Sequence, residues 1–412
     1  MQALVFGVTP DFAPPEVADT DNPLLTNLAA TPMALQEVPD PTVLADDWVV
    51  LRTRLTGVCG SDSKQVFMDT GGDATDFAMT AFISFPQVLG HEVVADVAQR
   101  GPAVRGLEVG QRVVLQCWLS CAPRGLTPVC PACAAGDYSL CWHFTDGQLA
   151  PGIHTGNSSD ATGGFAARLP AHESQAIPVP DSVSDEVAVL ADPFAVSLHA
   201  VTRYPPPPGG HALVWGAGAL GLSAVAVLRA LHPDVAVAVA ARHPAQQALA
   251  AEFGATVFDS QLDREQLVVA LADWSGGRLH RPWAGLPIAH PGSIDVAYDT
   301  IGAPHTIEVA LRVLAARAPL VVSGVHASER YEWSPQYFKE INLVGSNAFG
   351  VEEVEGVRQH AINHYLDLVQ AGRVDLRPML THTFRLDEWR DAFTTIARQD
   401  ETGAIKVAFD YR

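Results

Sequence analysis

The sequence predicts an α/β protein in which a doubly wound parallel sheet is joined to a β-rich domain. Three observations predict it. Residues 42–180 read as short strands separated by dense turn residues, whereas strands and helices alternate beyond residue 210. A breaker of four prolines and two glycines, residues 205–210, separates the two rhythms. Just beyond the breaker, Gly216-Ala217-Gly218-Ala219-Leu220-Gly221 stands between a strand pattern and a helix pattern.

The elements follow in order. Val49 to Leu51, Val93 to Val97 and Arg112 to Leu115 are β-like. After the breaker come a buried strand at His211 to Trp215, a helix at Ala219 to Leu231 and a second strand at residues 235–240. A helix at 245–253 is closed by Gly254. Further strands fall at 256–258, 294–298, 320–323 and 343–344, with helices near 264–274 and 304–316. Continuous apolar strands alternating with helices indicate a parallel sheet covered on both faces. The remainder predicts helices at 354–370 and 387–397 and a last strand at 405–409.

Composition bounds the function. A chain of 412 residues exceeds one core at roughly 150 residues per domain. With 48% hydrophobic and 17% charged residues it buries cores rather than remaining disordered. The net charge of −20 excludes nucleic acid and an anionic membrane surface as partners, since both need clustered Lys and Arg. The longest uncharged apolar stretch, residues 212–228, is shorter than the roughly 20 residues a membrane crossing requires. Residues 1–10 carry no signal-peptide pattern, so a cytoplasmic, reducing location is expected. The six cysteines are then metal or catalytic candidates before disulfides.

The Gly216–Gly221 loop fits G-x-G-x-x-G: a tight turn, close approach of backbone to a pyrophosphate, and close helix–strand packing. The helix that follows offers free N–H groups to phosphate. The second strand runs into Ala240-Ala241-Arg242 where an acidic residue would hold a ribose 2′-hydroxyl. A small residue followed by Arg242 favours the 2′-phosphate of NADP over NAD.

Cys130-Pro131-Ala132-Cys133 and Cys141 form C-x₂-C-x₇-C, and Cys121 lies upstream with eight residues intervening. Four thiolates suit a closed, tetrahedral structural zinc site. Cys117 competes for the first place; Cys121 is nearer, and Cys117 reads as an ordinary strand residue. Cys59-Gly60-Ser61-Asp62 and Gly90-His91-Glu92 offer a thiol, an imidazole and a carboxylate, a mixed set able to keep one position open for substrate.

With these motifs in this order the chain resembles the zinc-containing medium-chain dehydrogenases, the group of alcohol, sorbitol and threonine dehydrogenases. Residues 106–113 (G-L-E-V-G-Q-R-V) and 163–166 (G-G-F-A) add to the likeness. The resemblance implies a partly barrel-like, GroES-like catalytic domain from residues 1–186 and 346–412. It also implies a Rossmann domain from 187–345, with the active cleft between the two. Catalytic zinc is expected on Cys59, His91 and Asp192, with Glu92 an alternating or nearby ligand. Ser61 is expected to take the alcohol proton. Lys64 replaces the His that many relatives carry as the outer end of a proton relay. Two zinc ions per chain, NADP or NAD, an alcohol or polyol substrate (a ketone or aldehyde in reverse), and a homodimer or homotetramer follow from the same resemblance. The alternatives are a zinc-independent enone or quinone reductase on the same fold and a non-catalytic nucleotide-binding relative. Residues 65–85 are longer than the family pattern expects, and residues 276–292 are an extra loop without a counterpart in it.

Overall fold

The computed structural model describes residues 1–8, 21–69, 78–326 and 330–412. Residues 70–77 of the long segment 65–85, and residues 9 and 10 of the N-terminal stretch 1–10, lie outside them. The chain divides into two compact units. One comprises Met1–Asp192, Ile362–Ala371 and Leu380–Arg412, and the other Pro193–Ala361 and Gly372–Met379.

The second unit is built on a six-stranded sheet. Its strands lie in the order Thr256–Asp259, Ala236–Ala241, His211–Trp215, Val296–Asp299, Pro319–Val322 and Asn342–Gly345. Every pairing is parallel. His211–Trp215 is central because its residues Ala212, Leu213, Val214 and Trp215 are all fully buried. Each crossover is helical, the first being Ala219–Leu231. Both sheet faces are therefore covered, as the continuous apolar strands require.

Two predicted helices change here. The expected helix over 354–370 begins only at Ala361; Val351–Val354 and Val357–His360 form an antiparallel hairpin before it. Glu355 (φ 52) and Gly356 (φ 81) make the two-residue left-handed turn that such hairpins favour. The helix expected over 304–316 ends at Val313, where the buried Lys339 ammonium donates to the Leu314 carbonyl at 2.6 Å. That bond satisfies a carbonyl the helix end leaves open. Residues 276–292 hold a small hairpin, Leu279–His280 against Ile288–Ala289, whose Arg281 pairs with Glu265.

The first unit carries a seven-stranded sheet and a three-stranded one. Trp48–Gly57 is its spine, pairing antiparallel with Glu92–Arg100, Arg168–His172 and Lys406–Asp410. The chain's last strand is thereby set beside its third. Phe165 packs edge-on against Phe409 at 5.0 Å beneath this sheet, and both are fully buried. The loops at the Gly57 end of the spine carry the candidate site residues Cys59 and His91.

Candidate active site and metal centres

Cys59 caps the helix Gly60–Val66, and its N–H donates to Asp62 Oδ2 at 3.0 Å. Glu92 opens the neighbouring strand opposite Gly57, and His91 immediately precedes it. A Cβ on Gly57 would lie 2.1 Å from Glu92 Oε2, so the missing side chain is what admits the carboxylate. The ligand atoms of Cys59, His91 and Glu92 all lie within 4.8 Å of one another. Asp62 Oδ1 faces His91 Nδ1 at 3.6 Å, longer than a hydrogen bond and ionic only when the ring is protonated. With Nδ1 turned to a carboxylate, Nε2 is the nitrogen left for a metal.

Asp192 is buried at 5% exposure and stands outside that three-residue cluster. Cys117, which lies beyond the strand Arg112–Leu115 rather than in it, donates its thiol to Asp192 Oδ2 at 3.8 Å. Burial and the Glu92 charge push the Asp192 carboxyl up to about 7, although His91 and Lys406 oppose the shift. A thiol, an imidazole and a carboxylate held up in this way fit a divalent cation, which would restore the charged form.

Glu92 is not free to alternate without cost. Lys406 Nζ donates to its two oxygens at 2.7 and 2.6 Å, and to the Val58 carbonyl at 3.2 Å. Ser61 and Lys64 lie exposed on the helix Gly60–Val66. Among the described residues the Ser61 hydroxyl has no hydrogen-bond partner. Its neighbour Ser63 instead donates to the Cys59 carbonyl at 3.1 Å.

The second centre is the cysteine lobe. The sulfurs of Cys121, Cys130, Cys133 and Cys141 lie within 4.8 Å of one another, and none of the six cysteines is in a disulfide. Cys121 and Cys141 sulfurs are 3.6 Å apart. The tetrahedral edge for Zn–S bonds of about 2.3 Å is roughly 3.8 Å. Backbone N–H groups of Cys130, Cys133 and His143 donate to the sulfurs of Cys121, Cys130 and Cys141, the environment a thiolate needs. The lobe fits a closed four-sulfur metal site.

In the other unit Gly218 caps the helix Ala219–Leu231, and a Cβ there would meet nothing within 4 Å, which leaves backbone open to a ligand. A Cβ on Gly221 would lie 1.9 Å from the Gly216 carbonyl oxygen, so helix and strand pack there only through glycine. Ala217 is buried, while Ala219 and Leu220 are half-buried. Arg242 is exposed, one residue past the strand Ala236–Ala241.

Two family models match this chain: the alcohol dehydrogenase GroES-like domain over residues 45–181, and the zinc-binding dehydrogenase domain over residues 219–363. The chain belongs to the zinc-type alcohol dehydrogenase family. Among its relatives in this family is the (R,R)-butanediol dehydrogenase of Saccharomyces cerevisiae, 27% identical over 90% of this chain and 93% of that one. The L-threonine 3-dehydrogenase of Alteromonas mediterranea is 29% identical over 88% and 92% respectively. The solved alcohol dehydrogenase of Thermus sp. ATN1 shares the fold, with a TM-score of 0.73, 21% identity and full coverage of both chains. The chain is thus an oxidoreductase of a zinc-binding dehydrogenase family whose fold pairs a GroES-like domain with a parallel Rossmann sheet.

The structure also brings to the site four residues that sequence reasoning did not select. Asp62 could have been found, because a carboxylate close to a ligand is the usual orienting partner of a metal-binding His. Lys406 and His154 gave no signal; they are distant in sequence and meet the site only through strand pairing and loop packing. Arg124 lies among the eight residues between Cys121 and Cys130. It is 1% exposed, and its guanidinium donates to five backbone carbonyls: Leu119, Asp146, Leu149, Ala150 and Gly152.

Proposed function

We propose that this chain oxidises an alcohol or polyol, and reduces the matching ketone or aldehyde in reverse, with NADP preferred over NAD and two zinc ions per chain. The contrast between its two donor clusters carries the reading. Four convergent thiols would leave no vacancy, whereas Cys59, His91 and a single carboxylate make three donors and would leave a place for substrate oxygen. Zinc bound at the mixed site supplies Lewis acidity toward that oxygen, and a bound dinucleotide supplies the hydride acceptor.

Cys59 and His91 would hold the metal, with Asp192 as third ligand and Glu92 beside it under the hold of Lys406. Asp62 fixes the orientation of His91. Ser61 takes the hydroxyl proton, for which its unspent hydroxyl suits it, and Lys64 stands on the same helix as the outer cation. The loop Gly216–Gly221 takes the pyrophosphate and Arg242 the 2′-phosphate.

No described helix is long and apolar enough to cross a membrane. Six unbridged thiols support a reducing cytoplasmic location. The expected self-association is best served by the edge strand Asn342–Gly345, near which Trp333, Tyr337 and Phe338 are 62–77% exposed.

The test is a panel of alcohols and polyols assayed with NADP and with NAD, together with metal analysis. Zinc-dependent formation of NADPH with at least one alcohol is expected. A protein that reduced enones without zinc at Cys59 and His91 would belong to the alternative reading.

A further inference from the structure

Beside the mixed metal site stands an imidazole that the reaction as proposed does not use. The His154 ring lies 4.5 Å, centroid to centroid, from that of His91. Trp118 meets it edge-on at 6.2 Å. Its Nδ1 donates to the Thr155 carbonyl at 2.8 Å. A carbonyl only accepts, so this bond places the proton on Nδ1 and leaves Nε2 with an open lone pair. Among the described residues no protein group donates to Nε2, and the residue is only half-buried.

The loop that carries this ring is held from several sides. Asn157 Oδ1 accepts the N–H groups of Ile153 and His154 at 2.9 and 3.0 Å. Thr155 N–H reaches the Cys117 carbonyl at 2.8 Å, and Leu119 N–H the Ile153 carbonyl at 3.0 Å. Arg124 holds Ala150 and Gly152 from the cysteine lobe. Ser84 Oγ, at the far end of the long segment 65–85, donates to the Pro151 carbonyl at 2.7 Å. The ring is fixed before any ligand arrives, which lowers the entropy cost of using it.

We propose that His154 is a specificity-determining residue whose Nε2 accepts a hydrogen bond from a donor on the carbon next to the reacting one. The inference rests on the function proposed above, because the reacting oxygen must sit at Cys59 and His91. With that oxygen at Cys59 and His91, the carbon next to the reacting one would come within reach of the ring that packs on His91. A hydroxyl or an ammonium would serve as the donor; a methylene would leave the lone pair unmet in a partly enclosed site, which costs affinity.

Three four-carbon probes separate the cases: 2-butanol, 2,3-butanediol and 3-amino-2-butanol. The zinc-loaded wild-type protein should favour the diol or the amino alcohol over 2-butanol in kcat/KM, and the better of the two identifies the donor. In His154→Phe that preference should fall by about tenfold or more, with zinc content retained. His154→Gln, which keeps an acceptor, should recover part of it. A readout independent of turnover is the ¹⁵N resonance of His154 Nε2, assigned by its loss in His154→Phe. The preferred probe should shift it and 2-butanol should not.

An unchanged preference in His154→Phe, or a resonance that none of the probes moves, overturns this inference. A resonance that moves in a protein unable to oxidise any alcohol overturns the proposed function and leaves this contact standing.

Discussion

Lys406 spends its three ammonium hydrogens inside the protein, on the two Glu92 oxygens and the Val58 carbonyl, at 3% side-chain exposure. Burial is the largest single influence and would lower its pKa, but the charges of Glu92, Cys59 and Asp192 and the hydrogen bonds to Glu92 together outweigh it and raise the pKa. Removing one member of such a pair strands the other, so Lys406→Met should cost about 3–5 kcal/mol in urea unfolding. A loss below about 1 kcal/mol would show that Glu92 has another partner. Ser61→Ala should lower kcat about 100-fold or more while zinc content and dinucleotide affinity hold, because the hydroxyl acts on the reacting proton alone. Normal turnover in that variant would move the proton path to Lys64 or water. Arg242→Ala should weaken NADP more than NAD by about 1–3 kcal/mol, as for a charge-assisted hydrogen bond. Equal kcat/KM with the two dinucleotides in the wild-type protein would remove the basis for that assignment.

The cysteine lobe is a short loop with one turn of helix, Pro131–Ala135, and little core beyond its sulfurs and a few apolar neighbours. Metal binding and ordering should therefore be one event there. Cys130→Ser should lose one of two zinc ions and lower the melting temperature, with activity per folded molecule retained. A fully folded Cys130→Ser protein without chemistry, or a single zinc in the wild-type chain, would show that the roles of the two sites are misassigned. Arg124 ties this lobe to the segment 146–152 through buried carbonyls, each costly to leave without a donor. Arg124→Met should destabilise by about 3 kcal/mol or more even where the lobe keeps its zinc. If the melting curve did not move, water would be replacing the guanidinium.

Over the whole molecule, stability above neutral pH should carry the mark of Lys339. Burial, with help from the Arg312 charge, pushes this ammonium down to about 7, against about 10.4 in an unfolded chain. Between those values the unfolded state binds the extra proton, so stability rises with pH across that window. Below about pH 7 the folded protein bears the full penalty of a charged, buried lysine. Relative to Lys339→Met, the wild-type protein should therefore gain stability from pH 7 to pH 10, by at most about 1.4 kcal/mol per pH unit. Parallel stability curves for the two proteins would mean that Lys339 is solvated in the fold.

Local chemistry was legible in the sequence. The parallel sheet, the Gly216–Gly221 loop and the four-cysteine lobe follow from residue type and spacing, because one turn or one strand and its neighbour suffice to make them; the pairing of Cys59 with His91 was implied by the family resemblance, since only the pairing of two strands distant in sequence brings them together. The departures have the same kind of cause. The stretch 354–360 reads as helix until Glu355 and Gly356 take left-handed conformations that make it a hairpin. The position of Cys117 against Asp192, the hold of Lys406 on Glu92 across 314 residues and the packing of His154 on His91 were decided only by tertiary structure. Each depends on which strands pair and how loops fold over them, and long-range pairing leaves no periodic trace in the residues it joins.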